Sequence, residues 1–321
     1  MSTVATVFMF SGQGSQYYGM GRELFARQGD FRDAMVSMDD VFRQLSGHSV
    51  IEMLYEGGRG KGETFDRTLF SSAAIFMVEY ALAQALIRAG VVPDITLGAS
   101  AGSFAAAAVA GFIDVEDALA AVVMQAGIFE KHCEPGGMLA ILAEPELYTQ
   151  RQLESVCEVA AVNFSSHFVV SALQPALIGI RDELRRLDII CEPLPVSYAF
   201  HSKWIDCARA PHEALMRTVR FRPGTLPLMC CDQADLMVNL PENYFWHAAR
   251  HPIRFREAIS NLERRSAWRY IDVGPAGTLA TFLKYGLPVA STSEVHSVLT
   301  PYGHDVRNFN ALLTRIGVAA C

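Results

Sequence analysis

A serine hydroxyl becomes a nucleophile when a sharp strand-to-helix turn exposes it and a base stands within hydrogen-bond reach. Residues 94–104 of this 321-residue chain, Asp-Ile-Thr-Leu-Gly-Ala-Ser-Ala-Gly-Ser-Phe, have the outline of such a turn. Ser100 stands between small residues, with Gly98 and Gly102 two positions away on either side and an alanine run following. Glycine suits both places because the backbone is strained there and the next helix packs close behind. The start of that helix would offer N–H groups and its positive dipole end to an oxyanion on the substrate. A glycine-rich turn ahead of an alanine-rich core helix accounts for the same residues, so the partners of Ser100 decide. Nine histidines, at 48, 132, 167, 201, 212, 247, 251, 296 and 304, could supply the base. His201 stands out in a mixed aromatic and hydroxyl segment just past a domain junction, a purely structural histidine being the alternative. Asp188 and Asp272 are the acids available as a third group. A dyad oriented by a backbone carbonyl would also serve, because the third group's task is to fix tautomer and ring orientation. A second loop, Ser11-Gly12-Gln13-Gly14-Ser15-Gln16, follows a short apolar run, and its glycines let the backbone turn tightly around Gln13. Its spacing is not that of a phosphate loop, and a plain polar loop is the alternative reading.

Positioning these residues requires a packed core, and the composition provides for one. Hydrophobic residues make up 51% of the chain and charged residues 19%, the balance of a globular protein. The formal net charge of −7 argues against general nucleic-acid binding, which needs a basic surface. Seven cysteines, at 133, 157, 191, 207, 230, 231 and 321, are odd in number and lack paired metal-ligand spacing, so reduced thiols and no metal are expected. The first residues turn apolar at once without a basic region, which reads as a strand and not a signal peptide. The apolar stretch near 73–92 is broken by Glu79 and Arg88, and that at 104–113 is too short to span a bilayer. A soluble, cytoplasmic protein with no membrane association is expected.

The fold class expected is α/β. A buried strand over 4–10 leads into the Gln13 loop, helices follow over 17–60 and 71–89, and a short strand enters the turn at Ser100. That order predicts an α/β-hydrolase-like large subdomain with a parallel sheet. Past Gly136-Gly137 the texture changes: strands over 138–142, 159–162, 168–171 and 189–194 alternate with helices over 146–156 and 175–187. Strand-helix-strand-strand-helix-strand is the ferredoxin-like order. The predicted division is 1–131 for the first part of the large subdomain, 132–195 for the inserted small one, and 196–321 for the return to the large one. Further strands are expected over 226–230 and 268–273, and helices over 244–249, 255–262 and 277–285.

Five motifs stand in order: Ser-Gly-Gln-Gly-Ser-Gln at 11–16, the Ser100 turn, Tyr-Ala-Phe-His at 198–201, His-Pro-Ile-Arg-Phe at 251–255 and Asp-Val-Gly-Pro at 272–275. In order and spacing they resemble the malonyl-CoA:acyl-carrier-protein transacylase family, over nearly the whole chain. The resemblance implies that Ser100 is the acylated nucleophile and His201 its base. It also implies an oxyanion hole from the N–H of Ala101 and the backbone at Gln13, and a main-chain carbonyl near Ala248 orienting His201. The chain departs from the family at the turn, where Gly-His-Ser-Leu-Gly-Glu is usual: Ala99 replaces the histidine, Ala101 a larger residue and Ser103 the glutamate. The family arginine that pairs with the malonyl carboxylate falls on Gln125.

Glutamine supplies no charge, so a buried malonyl carboxylate would be about 3–5 kcal/mol worse off, a loss of two to three orders of magnitude or more at ~1.4 kcal/mol per tenfold. A small Ala101 would leave room for a longer acyl chain. Gln125, Ala99, Phe129 and Phe200 are the implied acyl-binding residues. Within the family the pattern is similar to the discrete acyl hydrolases that work beside trans-acyltransferase polyketide synthases. The resemblance therefore implies removal of non-carboxylated acyl groups, acetyl and longer, from the phosphopantetheine arm of acyl carrier protein domains, with no cofactor of the enzyme's own. Transfer of such a group between carriers, a non-catalytic docking role and a generic lipase-like hydrolase are the alternatives. Arg181, Arg185 and Arg186 on the predicted helix over 175–187, with Lys203 beyond His201, are the residues that would meet an acidic carrier protein, a merely solvated face being the alternative.

Overall fold

The computed structural model describes residues 4–318. Its first sheet holds β1 (Thr6–Phe10), β2 (Ile95–Gly98), β7 (Leu228–Cys230), β8 (Asp235–Met237), β9 (Arg269–Asp272) and β10 (Glu294–Ser297) in the order β10-β9-β1-β2-β7-β8. The first five strands are parallel and β8 runs antiparallel to β7. Every residue of β1 and β2 is buried, as expected of central strands covered on both faces. Phe8, Phe10 and Ile271 face the larger core, and Val7, Met9 and Leu97 face the other. Phe10 pairs with Gly98 and Met9 with Asp272. The carboxyl ends of β1, β2 and β9 therefore lie side by side, where an open α/β sheet places its binding crevice.

The helix Thr68–Arg88 is long and apolar enough to cross a membrane, yet most of it is buried here. It packs against the helices Gly29–Ser46 and Val115–His132 in the core of the large unit. Its one internal acid, Glu79, is fully buried and accepts hydrogen bonds from the Ser11 N–H at 2.6 Å and the Ser11 hydroxyl at 2.8 Å. The acid that interrupts the apolar run thus anchors the start of the Gln13 loop.

The second sheet contains β3 (Gly136–Ile141), β4 (Glu158–Phe164), β5 (His167–Leu173) and β6 (Cys191–Pro193) in the order β4-β5-β3-β6, all neighbours antiparallel. With the helix Gln174–Arg186 across it, this is the ferredoxin-like arrangement. The helix expected over 146–156 is reduced to Leu147–Gln150 and a single tight turn at Leu153–Ser155. Gln152 takes a left-handed backbone (φ 54°) between them, and only Leu153 of the two pieces is buried, too small an apolar face to sustain a helix. The large unit is joined to the second sheet where Ile253 donates its N–H to Ala160 O and its carbonyl accepts from Val162 N–H.

The helices Arg209–Met216 and Asp305–Arg315, and the strands β8 and β10, were not expected. The edge strand β10 carries Glu294 and His296 and no fully buried residue, so it has no apolar alternation to reveal it. The six described cysteines are free thiols, with the Cys133 and Cys207 sulfurs 3.7 Å apart; Cys321 lies outside the described residues.

Candidate active site

Ser100 sits at φ 55° between β2 and the helix Gly102–Val109, a left-handed conformation that costs a non-glycine residue about 1–2 kcal/mol. The flanking glycines are required by contact. A Cβ on Gly98 would lie 2.5 Å from Ser103 Cα, and one on Gly102 would lie 2.3 Å from the Phe10 carbonyl oxygen. The loop after β1 crosses directly over the serine, since a Cβ on Gly12 would come within 2.7 Å of Ser100 Cβ.

His201 Nε2 is 2.8 Å from Ser100 Oγ, and His201 Nδ1 is 2.8 Å from the His251 carbonyl oxygen. The carbonyl can only accept, so Nδ1 carries the proton and Nε2 is free to accept from the serine hydroxyl. The orienting carbonyl is therefore that of His251, not one near Ala248; the neighbouring Ala249 carbonyl instead takes the His201 main-chain N–H at 2.8 Å. The reason is local. His251 precedes Pro252, so its backbone turns extended (φ −88°, ψ 157°) and the helix Tyr244–Arg250 stops. That turn takes the carbonyl out of the helical ladder. Neither acid considered as a third group takes part. The Asp272 carboxylate accepts from the Gly274 and Ala280 N–H groups at 2.8 Å each, and Asp188 sits exposed in a left-handed turn after the helix Gln174–Arg186.

Burial lowers the His201 pKa from its ordinary value to about 4, against the opposing pull of the His251 hydrogen bond. The ring is thus neutral at pH 7 and can act as a base. The His251 side chain is held in turn, its Nδ1 2.9 Å from Asp232 Oδ1. Asp232, His247 and His251 bring three ligand-type atoms within 4.8 Å of one another, a spatial grouping that the separation of these residues in sequence concealed.

Neither the Gln13 N–H nor the Ala101 N–H donates to another group among the described residues. Other groups of the loop are tied. Gly14 N–H donates to Gln16 Oε1 at 2.7 Å, Ser15 Oγ to Gly12 O at 2.8 Å, and Gln16 Nε2 to Phe65 O at 2.7 Å and Pro195 O at 2.8 Å. The Gln13 side chain donates to Ser71 Oγ at 2.8 Å. Its side-chain amide is thus engaged with the helix wall, and its main-chain N–H is a donor without a partner among the described residues.

Two chambers meet at Ser100, Gln13 and Phe200. The smaller has a cavity volume of about 20 Å³ and is lined by Ala101, Gln125, Phe129, Phe104 and Phe245. Gln125 is buried, with its Oε1 2.7 Å from His212 Nε2, and no residue lining this chamber is cationic. The larger has a volume of about 120 Å³ and takes Met138, Ala140 and Val169 from the second sheet and Ile253, Phe255 and Phe282 from the large unit. Two expectations change here. Ala99 lines the larger chamber, not the one holding Gln125, because neighbours in a turn point to different sides. Ala101 does not open space for a longer chain on the Gln125 side, since phenylalanine rings leave room there for little more than one water-sized group.

Arg181 lines a groove of about 510 Å³ that shares Met138 and Leu194 with the larger chamber. Arg185 and Arg186 are exposed on the same helix, with Arg186 Nε donating to Asp182 O. Lys203 lies 3.8 Å from the Glu158 carboxylate and over the Trp204 ring, with its side chain largely exposed. The residues around the site that the sequence did not signal are His212, Glu79 and Asp232, which contact Gln125, Ser11 and His251. Each is an isolated polar residue whose partner is distant in the chain.

A family described as the acyl transferase domain matches residues 7–320. The chain is 42% identical over 307 residues to the "Polyketide biosynthesis acyltransferase homolog PksD" of Bacillus subtilis, covering 95% of each. It is 44% identical over 297 residues to the "Polyketide biosynthesis acyltransferase homolog BaeD" of Bacillus velezensis, covering 92% of each. Among solved structures, the acyltransferase domain from the second module of the salinomycin polyketide synthase superposes with a TM-score of 0.87 at 27% identity, over 99% of this chain and 75% of that one. The malonyl CoA-acyl carrier protein transacylase from Clostridium perfringens shares the fold, with a TM-score of 0.82 at 22% identity over 98% of both chains.

Proposed function

The chain belongs to the acyl transferase family, and from that premise we propose that it is a trans-acting acyl hydrolase of a polyketide synthase. It takes short, non-carboxylated acyl groups, acetyl first among them, from thioesters on acyl carrier proteins. The observation that carries this reading is the neutral small chamber beside Ser100: Gln125 stands on its wall and no lining side chain offers a positive charge. A carboxylate buried there would be left unpaired, whereas a methyl group suffers no such loss.

In the proposed reaction His201 Nε2 removes the Ser100 proton as Oγ attacks the thioester carbonyl. The oxyanion receives hydrogen bonds from the Ala101 and Gln13 N–H groups, which the free protein leaves unused. His201 then protonates the departing pantetheine thiolate, leaving the acyl group on Ser100. Water, activated by the same Nε2, attacks the ester and releases the free acid. The larger chamber, with its mixed apolar walls and the Asn163 and His167 side chains, is the proposed path of the pantetheine arm, and the groove beside Arg181 its mouth. No metal or organic cofactor enters this scheme, and the enzyme is assigned to the cytoplasm, where carrier proteins work. Transfer of the acyl group to a second carrier thiol, in place of water, is the reading favoured by the name acyltransferase carried by both Bacillus relatives.

The test is incubation with acetyl-, butyryl- and malonyl-carrier protein, following free acid and acceptor acylation by mass. Acetate release with an acylated Ser100 intermediate is expected. Malonyl as the best substrate would sink the reading, and quantitative acylation of a second carrier without free acid would replace hydrolysis by transfer.

A further inference from the structure

Behind Gln125, outside the ring of residues that line the small chamber, His212 is completely buried in the helix Arg209–Met216. The rings of Phe129 and Trp246 stand beside it, with centroids 6.2 and 5.4 Å away. Its Nε2 meets Gln125 Oε1 at 2.7 Å, while its Nδ1 has no partner among the described residues. That pattern selects a tautomer. With the proton on Nε2 the contact is a good hydrogen bond and Nδ1 is a bare lone pair. With the proton on Nδ1 a buried donor would be orphaned, the costlier arrangement. Because Oε1 is taken, the Gln125 amide turns only its NH₂ group away from His212.

We propose that His212 is a specificity-determining positioning residue, which grips Gln125 by its carbonyl oxygen and so reserves the small chamber for a short, uncharged acyl group. The inference rests on the acyl-enzyme reading above. It acts in two ways. The gripped amide keeps one position in a chamber of about 20 Å³, where any other rotamer would fill the space an acetyl methyl needs. The N–H of His212 also points at position 125, so an arginine there would meet it donor against donor. Burial lowers the His212 pKa to about 4, so at neutral pH no cation stands behind Gln125 either.

The experiment compares acylation of Ser100 by acetyl- and malonyl-carrier protein, as kcat/KM, in the parent, His212→Leu, His212→Gln, Gln125→Leu and Gln125→Leu/His212→Leu proteins. His212→Leu should reduce the acetyl-to-malonyl ratio about fivefold to tenfold, the loss of one neutral hydrogen bond with the order it imposes. His212→Gln, whose amide can still donate to Oε1, should restore most of the ratio. In the Gln125→Leu background, replacing His212 should not change the ratio further. An unchanged ratio in both His212 variants, or effects that simply add in the double variant, would overturn the proposal. A parent that shows no acyl-Ser100 with either substrate would instead overturn the catalytic reading, so the two failures are told apart.

Discussion

The two chambers that meet at Ser100 are made differently. The small one is walled only by the large unit, with phenylalanine rings and the Gln125 amide, and is nearly full at about 20 Å³. The larger, about 120 Å³, lies between the second sheet and the loops and helices of the large unit and draws its walls from both. A space inside one close-packed unit cannot widen without displacing its neighbours, so its chemistry is set by single residues such as Gln125. A space between two units can adjust through the joint between them. On the proposed reaction, choice of acyl group belongs to the first chamber and passage of the long arm to the second.

The largest effect is expected where the chambers join. Ser100→Ala or His201→Ala should lower acetate release about 10⁴-fold or more, and a mass spectrum should show no acyl adduct on the Ser100 variant. Residual turnover within tenfold of the parent would place the chemistry elsewhere.

Next comes the small chamber. Gln125→Arg should raise malonyl acylation about tenfold, and Gln125→Arg/His212→Leu about a hundredfold, as the guanidinium gains room and a carboxylate gains its counter-charge. Equal gains for acetyl and malonyl would dissolve the division between the chambers.

In the larger chamber, Met138→Trp should raise KM for acyl-carrier substrates about tenfold, the scale of a mis-filled apolar site, with the acetyl-to-malonyl ratio unchanged. A shift in that ratio would show that the larger chamber also reads the acyl group.

Acid provides the smallest test. The His201 pKa is lowered to about 4 and the base must be neutral, so kcat/KM should stay level from pH 8 to about 5 and fall as pH drops through 4. A limb near 6.5 would mean a solvent-open ring. The same sign governs stability. His201 and His212 have depressed pKa values in the folded state, so their contribution is complete above the unfolded value of 6.5 and is lost as pH falls toward 4. His212→Gln should therefore show a smaller drop in Tm between pH 7 and pH 5 than the parent.

Much of this arrangement was legible in local pattern. The uninterrupted apolar run before Ser11 marks a central strand, and Gly98 and Gly102 mark the turn because a backbone atom stands where a Cβ would be. The strand-helix-strand-strand-helix-strand order of the insert carried its topology, although its first helix failed where the apolar face ran out at Gln152. The His251-Pro252 step held the signal for the orienting carbonyl, since a residue before proline leaves the helix. The family resemblance alone puts it near Ala248, still inside the helix Tyr244–Arg250.

What the sequence alone determined is the glycine-flanked turn at Ser100, the glycine-bracketed loop at Gln13 and a glutamine at position 125, while the pairing of Ser100 with His201 was implied only by the family resemblance. The two glycine-marked turns follow from near-neighbour backbone constraint. Only the tertiary structure decided that Ala99 and Ala101 face different chambers, that rings close the space beside Ala101, that Glu79 anchors the loop, and that His212 grips Gln125. These depend on contacts between segments far apart in the chain, 87 residues in the last case. A lone buried histidine has no periodicity or spacing to announce its partner until the helices that carry the two are packed together.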